Sequence, residues 1–126
     1  MKDNKFYICE RCGNIVGMIH NSGVNPVCCG QKMTKLEAGV VEASREKHIP
    51  KVTVDGNVVI AEVGSVYHPM SEEHHIAWVY LQTDKGGQRK CLEVGAAPIV
   101  EFALHGEKPI AVFAYCNLHG LWKSEV

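Results

Sequence analysis

KVTVDGNVVIAEV, residues 51–63, is the stretch that decides the fold. Val52 and Val54 precede its middle, Val58, Val59 and Ile60 follow it, and Asp55-Gly56 stands between. Two β-branched runs around Asp-Gly are the strongest short-range signal for a hairpin, because glycine takes the dihedrals a tight turn demands. Working outward, HIAWVYLQT (75–83), QRKCLEV (88–94) and APIVEFAL (97–104) read as further strands, and KPIAVFAY (108–115) as the last. Turn residues recur between them at DKGG (84–87), EVGAAP (93–98) and HGEKP (105–109). Short strands at this spacing, with no long helical pattern and no internal repeat, predict an antiparallel sandwich.

The first 36 residues read differently. Cys9, Cys12, Cys28 and Cys29 fall there, with Gly13, Gly17, Gly23 and Gly30 interrupting any regular pattern. So short a piece buries too little apolar surface to fold alone, and a bound metal would supply the missing free energy. Residues 37–45, EAGVVEASR, read as a connector with room for one helical turn. The reading from the residues is therefore a mainly β chain, with a small metal-stapled N-terminal module on an all-β domain.

Composition bounds the function. The chain has 126 residues, of which 46% are hydrophobic, enough for a core. Net charge is −1 without a run of Lys or Arg, which argues against nucleic acid or an anionic membrane as partner. No segment approaches the roughly 18 apolar residues of a membrane span. The opening MKDNKFYICE lacks the apolar core of a signal peptide, so a cytoplasmic location is expected. There the six cysteines stay reduced, and their clustering, with Cys28 and Cys29 adjacent, suits metal ligands better than disulfides.

Cys9-x-x-Cys12, fifteen residues, then Cys28-Cys29 gives four thiolates, a set that suits zinc or a single iron. The second pair has no spacer, so its sulfurs must diverge from neighbouring backbone positions and distort the tetrahedron. A second constellation lies in the β region. In AYCNLHGLW (114–122), Cys116 ends a strand whose inward face carries Ile110, Val112 and Ala114, and His119 follows one short turn later. That pair makes a site only if further ligands converge on it. Candidates lie in EKHIP, with His48, and VYHPMSEEHH, with His68 and His74, which read as loops, where sites on a rigid sandwich are usually built. A Cys–His nucleophile would need one histidine and leave the others unexplained. Blue copper would need a methionine after His119, where the chain has Gly120-Leu121-Trp122-Lys123. Several neutral imidazoles with one thiolate better suit a redox iron.

Taken in order, Cys-x-x-Cys, Cys-Cys, EKHIP, HPMSEEH and CNLHG resemble desulfoferrodoxin, the family of two-iron superoxide reductases, over essentially the whole chain. The resemblance implies a desulforedoxin-like module over residues 1–36 and an immunoglobulin-like antiparallel β-sandwich over 37–126. It implies two iron ions: one held by Cys9, Cys12, Cys28 and Cys29, the other by His48, His68, His74 and His119 around its plane with Cys116 as axial thiolate. The implied activity is one-electron reduction of superoxide to hydrogen peroxide without dioxygen, a detoxification, fed by a rubredoxin-like electron donor and commonly carried out by a homodimer. Lys47 would attract the anion and orient water for proton delivery. Glu46 would match the residue that closes the sixth iron position once product has left. His75 is expected to point elsewhere, His20 and His105 to be solvated and Cys91 to be a small packing residue. Leu121 stands where relatives often have histidine. The competing readings are an electron-transfer iron protein without substrate turnover and a zinc-stapled binding module, which would leave His48, His68 and His74 unexplained.

Overall fold

A computed structural model describes residues 6–126; residues 1–5, the start of the expected N-terminal module, lie outside the described residues. The chain divides into two compact units, residues 1–37 and 38–126.

In the first unit, β1 (Phe6–Ile8) pairs with β2 (Ile15–Gly17) on one side and β5 (Thr34–Lys35) on the other, all antiparallel. β3 (Val27–Cys28) and β4 (Gln31–Lys32) form a separate hairpin whose two turn residues are Cys29 and Gly30. Both have positive φ, +53° and +76°, as a type I′ turn requires. Among the described residues Cys29 is the only non-glycine in that region. This is how adjacent cysteines diverge: the turn reverses the backbone between them, at the steric cost a Cβ meets there. Among the described residues, Tyr7, Cys9 and Met33 form the buried cluster, with Met18 and Cys28 against it, and Phe6 is buried too. So few side chains leave much of the stabilisation to the sulfur cluster.

The second unit opens with a single helical turn, α1 (Arg45–His48). It continues through β6 (Pro50–Asp55), β7 (Val58–Val63), β8 (Ile76–Thr83), β9 (Gly86–Cys91), β10 (Ile99–Ala103), β11 (Pro109–Cys116) and β12 (Gly120–Glu125). The strands form two antiparallel sheets, ordered β10-β7-β6 and β12-β11-β8-β9. Three strands plus four make the antiparallel sandwich the sequence predicts, of the immunoglobulin-like kind the resemblance implies. Its core is built by alternation: Val59, Ala61 and Val63 of β7 and Phe102 of β10 meet Val79 and Leu81 of β8 and Val112, Ala114 and Cys116 of β11, all fully buried. Cys116 is thus the last core residue of its strand, on the face it shares with Val112 and Ala114, while Ile110 is only half-buried. No helix among the described residues is long and apolar enough to cross a membrane.

Four expectations need correction. The β6–β7 turn residues are Gly56-Asn57, since Asp55 still pairs with Val58. Gly56, at φ +57°, takes the first turn position, one residue later than the Asp-Gly signal suggests. KPIAVFAY is not the last strand, because β12 follows it; Lys123, Ser124 and Glu125 hide the strand pattern. EKHIP is no loop: Arg45–His48 is helical, and the helix stops before Pro50, which begins β6. Cys91 is not a packing residue: it is exposed on edge strand β9, where the Arg89 Nη1 donates to its sulfur at 2.8 Å.

Gly64 seats α1. Val66 N–H and the Ser65 hydroxyl both donate to the Glu46 carbonyl, at 3.0 and 3.3 Å. A Cβ on Gly64 would lie 2.5 Å from that oxygen and 2.8 Å from the Ile49 carbonyl oxygen. The turn carrying Glu46, Lys47 and His48 rests on a surface only glycine leaves open. Gly64→Ala is expected to lower stability by about 1–3 kcal/mol, the usual cost of overpacking a tight site. Urea denaturation of both proteins measures it, and an unchanged midpoint would contradict this seating.

Candidate metal centres

Cys116 and His119 are brought together by the hairpin between β11 and β12. Cys116 pairs with Gly120, so Asn117, Leu118 and His119 form a three-residue loop. Gly120 has φ +75°, the left-handed residue such loops need at their end. The loop folds back so that His119 N–H donates to the Cys116 sulfur at 3.3 Å and His119 Nδ1 lies 3.9 Å from it. A register shift between Tyr115 and Cys116, against β8, bends the sheet at the same place.

Around this corner stand four imidazoles. Neighbouring ring centroids are 4.5 Å apart for His48–His68 and His68–His74, and 5.0 Å for His74–His119 and His119–His48. Across the ring, His48 and His74 are 6.4 Å apart. Nearly equal sides with a longer diagonal describe a square. Neighbouring rings stand at 78–82°, like the blades of a propeller. His48 and His68 are buried, His74 and His119 partly so.

The hydrogen bonds decide which nitrogens face inward. His48 Nδ1 is 2.6 Å from the Ser44 carbonyl oxygen, and His68 Nδ1 is 2.7 Å from that of Pro69. A carbonyl only accepts, so each Nδ1 carries the proton and each Nε2 keeps its lone pair. Those two Nε2 atoms nevertheless lie 3.0 Å apart, and His119 Nδ1 lies 3.2 Å from His48 Nε2. His74 Nε2 is buried with no hydrogen-bond partner. Facing lone pairs repel unless a cation lies among them. Two nitrogens bound at right angles to one metal at about 2.1 Å would be about 3.0 Å apart, as here. The donor set therefore fits a metal ion, with His48, His68, His74, Cys116 and His119 all presenting ligand atoms within 4.8 Å of one another.

Burial is the main cause that favours the neutral form of His48, His68 and His74. It pushes His68 down to about 4, against the donated bond to Pro69, and also lowers His48 and His74. Positive charge on neighbouring imidazoles and on Lys47 lowers His48 and His74 further. Lys47 is half-buried and Glu46 exposed, both in α1 beside His48. His75 turns away, its Nδ1 directed at the Ser71 and Glu72 carbonyls; His20 and His105 are exposed. Leu121 is buried on β12, opposite Tyr115. Trp122 was not singled out from the sequence. Its ring lies 4.9 Å from that of His48, and its indole N–H donates to the His119 carbonyl at 3.1 Å. A tryptophan three residues beyond a ligand histidine was the available signal.

Cys9, Cys12, Cys28 and Cys29 form the other cluster, with sulfurs likewise within 4.8 Å. Cys12 and Cys28 sulfurs are 3.6 Å apart, Cys28 and Cys29 sulfurs 3.9 Å. A disulfide would need about 2.05 Å, whereas tetrahedral sulfurs 2.3 Å from one metal lie about 3.8 Å apart. The N–H of Cys12, 3.5 Å from the Cys9 sulfur, is the main reason Cys9 is lowered to about 6. Hydrogen bonding to the Cys12 sulfur, then to those of Cys9 and Cys28, pushes Cys29 up to about 12. A cation held by these sulfurs would displace their thiol protons.

An antiparallel sandwich carrying a square of imidazoles and a buried cysteine, in a chain that also carries a small four-cysteine module, defines a class of two-centre metalloprotein, and both donor sets are consistent with iron. The family model described as Desulfoferrodoxin matches residues 40–125, and that of the Desulfoferrodoxin N-terminal domain matches residues 1–36. The chain belongs to the desulfoferrodoxin family. Desulfoferrodoxin of Nitratidesulfovibrio vulgaris is 42% identical over 121 residues, 96% of this chain and 95% of that protein. The crystal structure of the superoxide reductase from Treponema pallidum is 40% identical, covers 98% of this chain and 100% of that one, and superposes with a TM-score of 0.84. A superoxide reductase (1Fe-SOR) from Giardia intestinalis, 29% identical, matches 64% of this chain with 97% of its own, at a TM-score of 0.55.

The metal-free chain is expected to lose stability as pH falls. His68 titrates near 6.5 when unfolded and near 4 when folded, so between those values the unfolded state binds more protons and is favoured. Stability is constant above that window and falls through it. Urea midpoints of metal-free protein between pH 7 and pH 4 measure this, and a flat profile would contradict neutral, buried imidazoles.

Proposed function

We propose that the chain is a superoxide reductase. In the net reaction, superoxide gains one electron and two protons and leaves as hydrogen peroxide, and no dioxygen forms. The observation that carries this is the five-donor arrangement: four imidazoles in a square and one buried cysteine, His48, His68, His74, His119 and Cys116, would hold one iron ion. Iron bound there would supply the electron and the Lewis acidity that a small anion meets.

The chain's own residues do the rest. The His48 and His68 rings are aimed by the carbonyls of Ser44 and Pro69, and Trp122 holds the His119 backbone, which limits reorganisation during the reaction. Cys116 offers negative charge from the apolar interior, moderated by the His119 N–H. Lys47, whose charge reaches the rings of His48 and His74, attracts the anion and holds water from which protons are drawn. Glu46, its exposed neighbour on α1, is the carboxylate that would close the site after product has gone, the role the family resemblance implies. Residues 1–36 act as a four-cysteine iron module and 37–126 as the reductase domain, a division supported by the compact units and by the separate family matches. A rubredoxin-like carrier supplies electrons to a cytoplasmic homodimer, the arrangement the family resemblance implies.

Product stoichiometry tests the activity. With an electron donor present, one peroxide per superoxide and no dioxygen is the expected result. A dismutase would give half as much peroxide with dioxygen, and a pure electron carrier would consume no superoxide beyond the background. Lys47→Ala should slow superoxide consumption about tenfold or more at low salt and flatten its dependence on ionic strength. Lys47→Arg should keep most of the rate. Unchanged kinetics in Lys47→Ala would remove Lys47 from the mechanism.

A further inference from the structure

His74 differs from its partners. His48 and His68 are each aimed by a carbonyl on Nδ1, whereas among the described residues no such bond meets the His74 ring. It is also less buried than either and lies in the bend 71–74, outside regular structure. Its direction therefore depends on how its backbone is held. Ser71 closes the bend from within: its Oγ donates to the His74 carbonyl and accepts from the His74 N–H, both at 3.2 Å.

The link to the rest of the site comes from Asn117, between the ligands Cys116 and His119. Its Oδ1 accepts from the His75 N–H at 2.8 Å, its Nδ2 donates to the Glu73 carbonyl at 2.9 Å, and its own N–H donates to the His75 carbonyl at 3.2 Å. The amide thus grips the residue before His74 and the residue after it. We propose that Asn117 is a positioning residue that locks the His74 loop to the Cys116–His119 hairpin, fixing three of the five ligands relative to one another. Only a planar side chain with one acceptor and one donor reaches both flanks at once. Partners of this kind, which hold ligands without touching metal, typically account for a factor of about 10–100 in metal affinity.

This inference rests on the five-residue centre binding iron. The test uses the full-length, iron-loaded chain, with the four-cysteine centre as internal reference. Asn117→Ala removes both side-chain bonds. Asn117→Asp keeps the acceptor for His75 and loses the donor to Glu73. Iron release to a chelator, the Cys116-to-iron absorption band and the ferric magnetic resonance spectrum are recorded for each. Release from the histidine centre should accelerate about tenfold or more in Asn117→Ala and by an intermediate factor in Asn117→Asp. The band and resonance should shift, while the four-cysteine centre keeps its spectrum and release rate. Release within about twofold of wild type with an unchanged band would overturn the proposal, since a positioning partner should change both. Equal loosening of both centres would also overturn it, by pointing to general destabilisation. A wild-type chain without iron at the histidine centre would overturn it together with the proposed function, an outcome separate from the other two.

Discussion

Four imidazole nitrogens and one sulfur are turned toward a single point, and their lone pairs repel one another unless a positive ion lies among them. That constraint organises the second unit. Protons could neutralise the repulsion, but burial opposes charging the rings, holding His68 near 4 and lowering His48 and His74. A metal cation relieves the conflict without bringing a proton into the interior. The fold contributes three devices to keep the donors in place: the glycine seat under α1, the three-residue hairpin ending at Gly120, and carbonyls that fix the tautomers of His48 and His68.

The first unit solves a related problem with less structure. Among the described residues its core cluster is Tyr7, Cys9 and Met33, so a ligand is itself part of the core. Cys29 takes a left-handed conformation that no other described non-glycine residue adopts. Such strain persists only where something compensates for it, and four sulfurs at metal-bridging distances are the evident compensation. The adjacent cysteines and the type I′ turn are one feature: the turn is what separates their sulfurs.

Much of this was legible in the sequence because the decisive signals were local. The β-branched runs of 51–63 and the recurring turn residues carried the sandwich, and the five ligands could be named because Cys and His are chemically distinctive. The errors have equally physical causes. The turn fell one residue beyond Asp55-Gly56 because Asp55 completes a backbone pair with Val58. β12 was missed because Lys123, Ser124 and Glu125 lack strand character, and it forms by pairing with β11. The helical turn at His48 depends on contact with Gly64, far away in sequence. Asn117 carries no intrinsic signal and Trp122 only its spacing from His119, since the importance of both comes from the backbone groups they meet across a loop.

The central claim is that two distinct donor sets each hold one iron. It is tested most directly by metal analysis and an absorption spectrum on the same oxidised sample. The expected result is two irons per chain, with a thiolate-to-iron band from the histidine centre distinct from the spectrum of the four-cysteine centre; the band should vanish in Cys116→Ser while the four-cysteine spectrum remains. One metal per chain, or the intense blue of a copper–thiolate site, would contradict it.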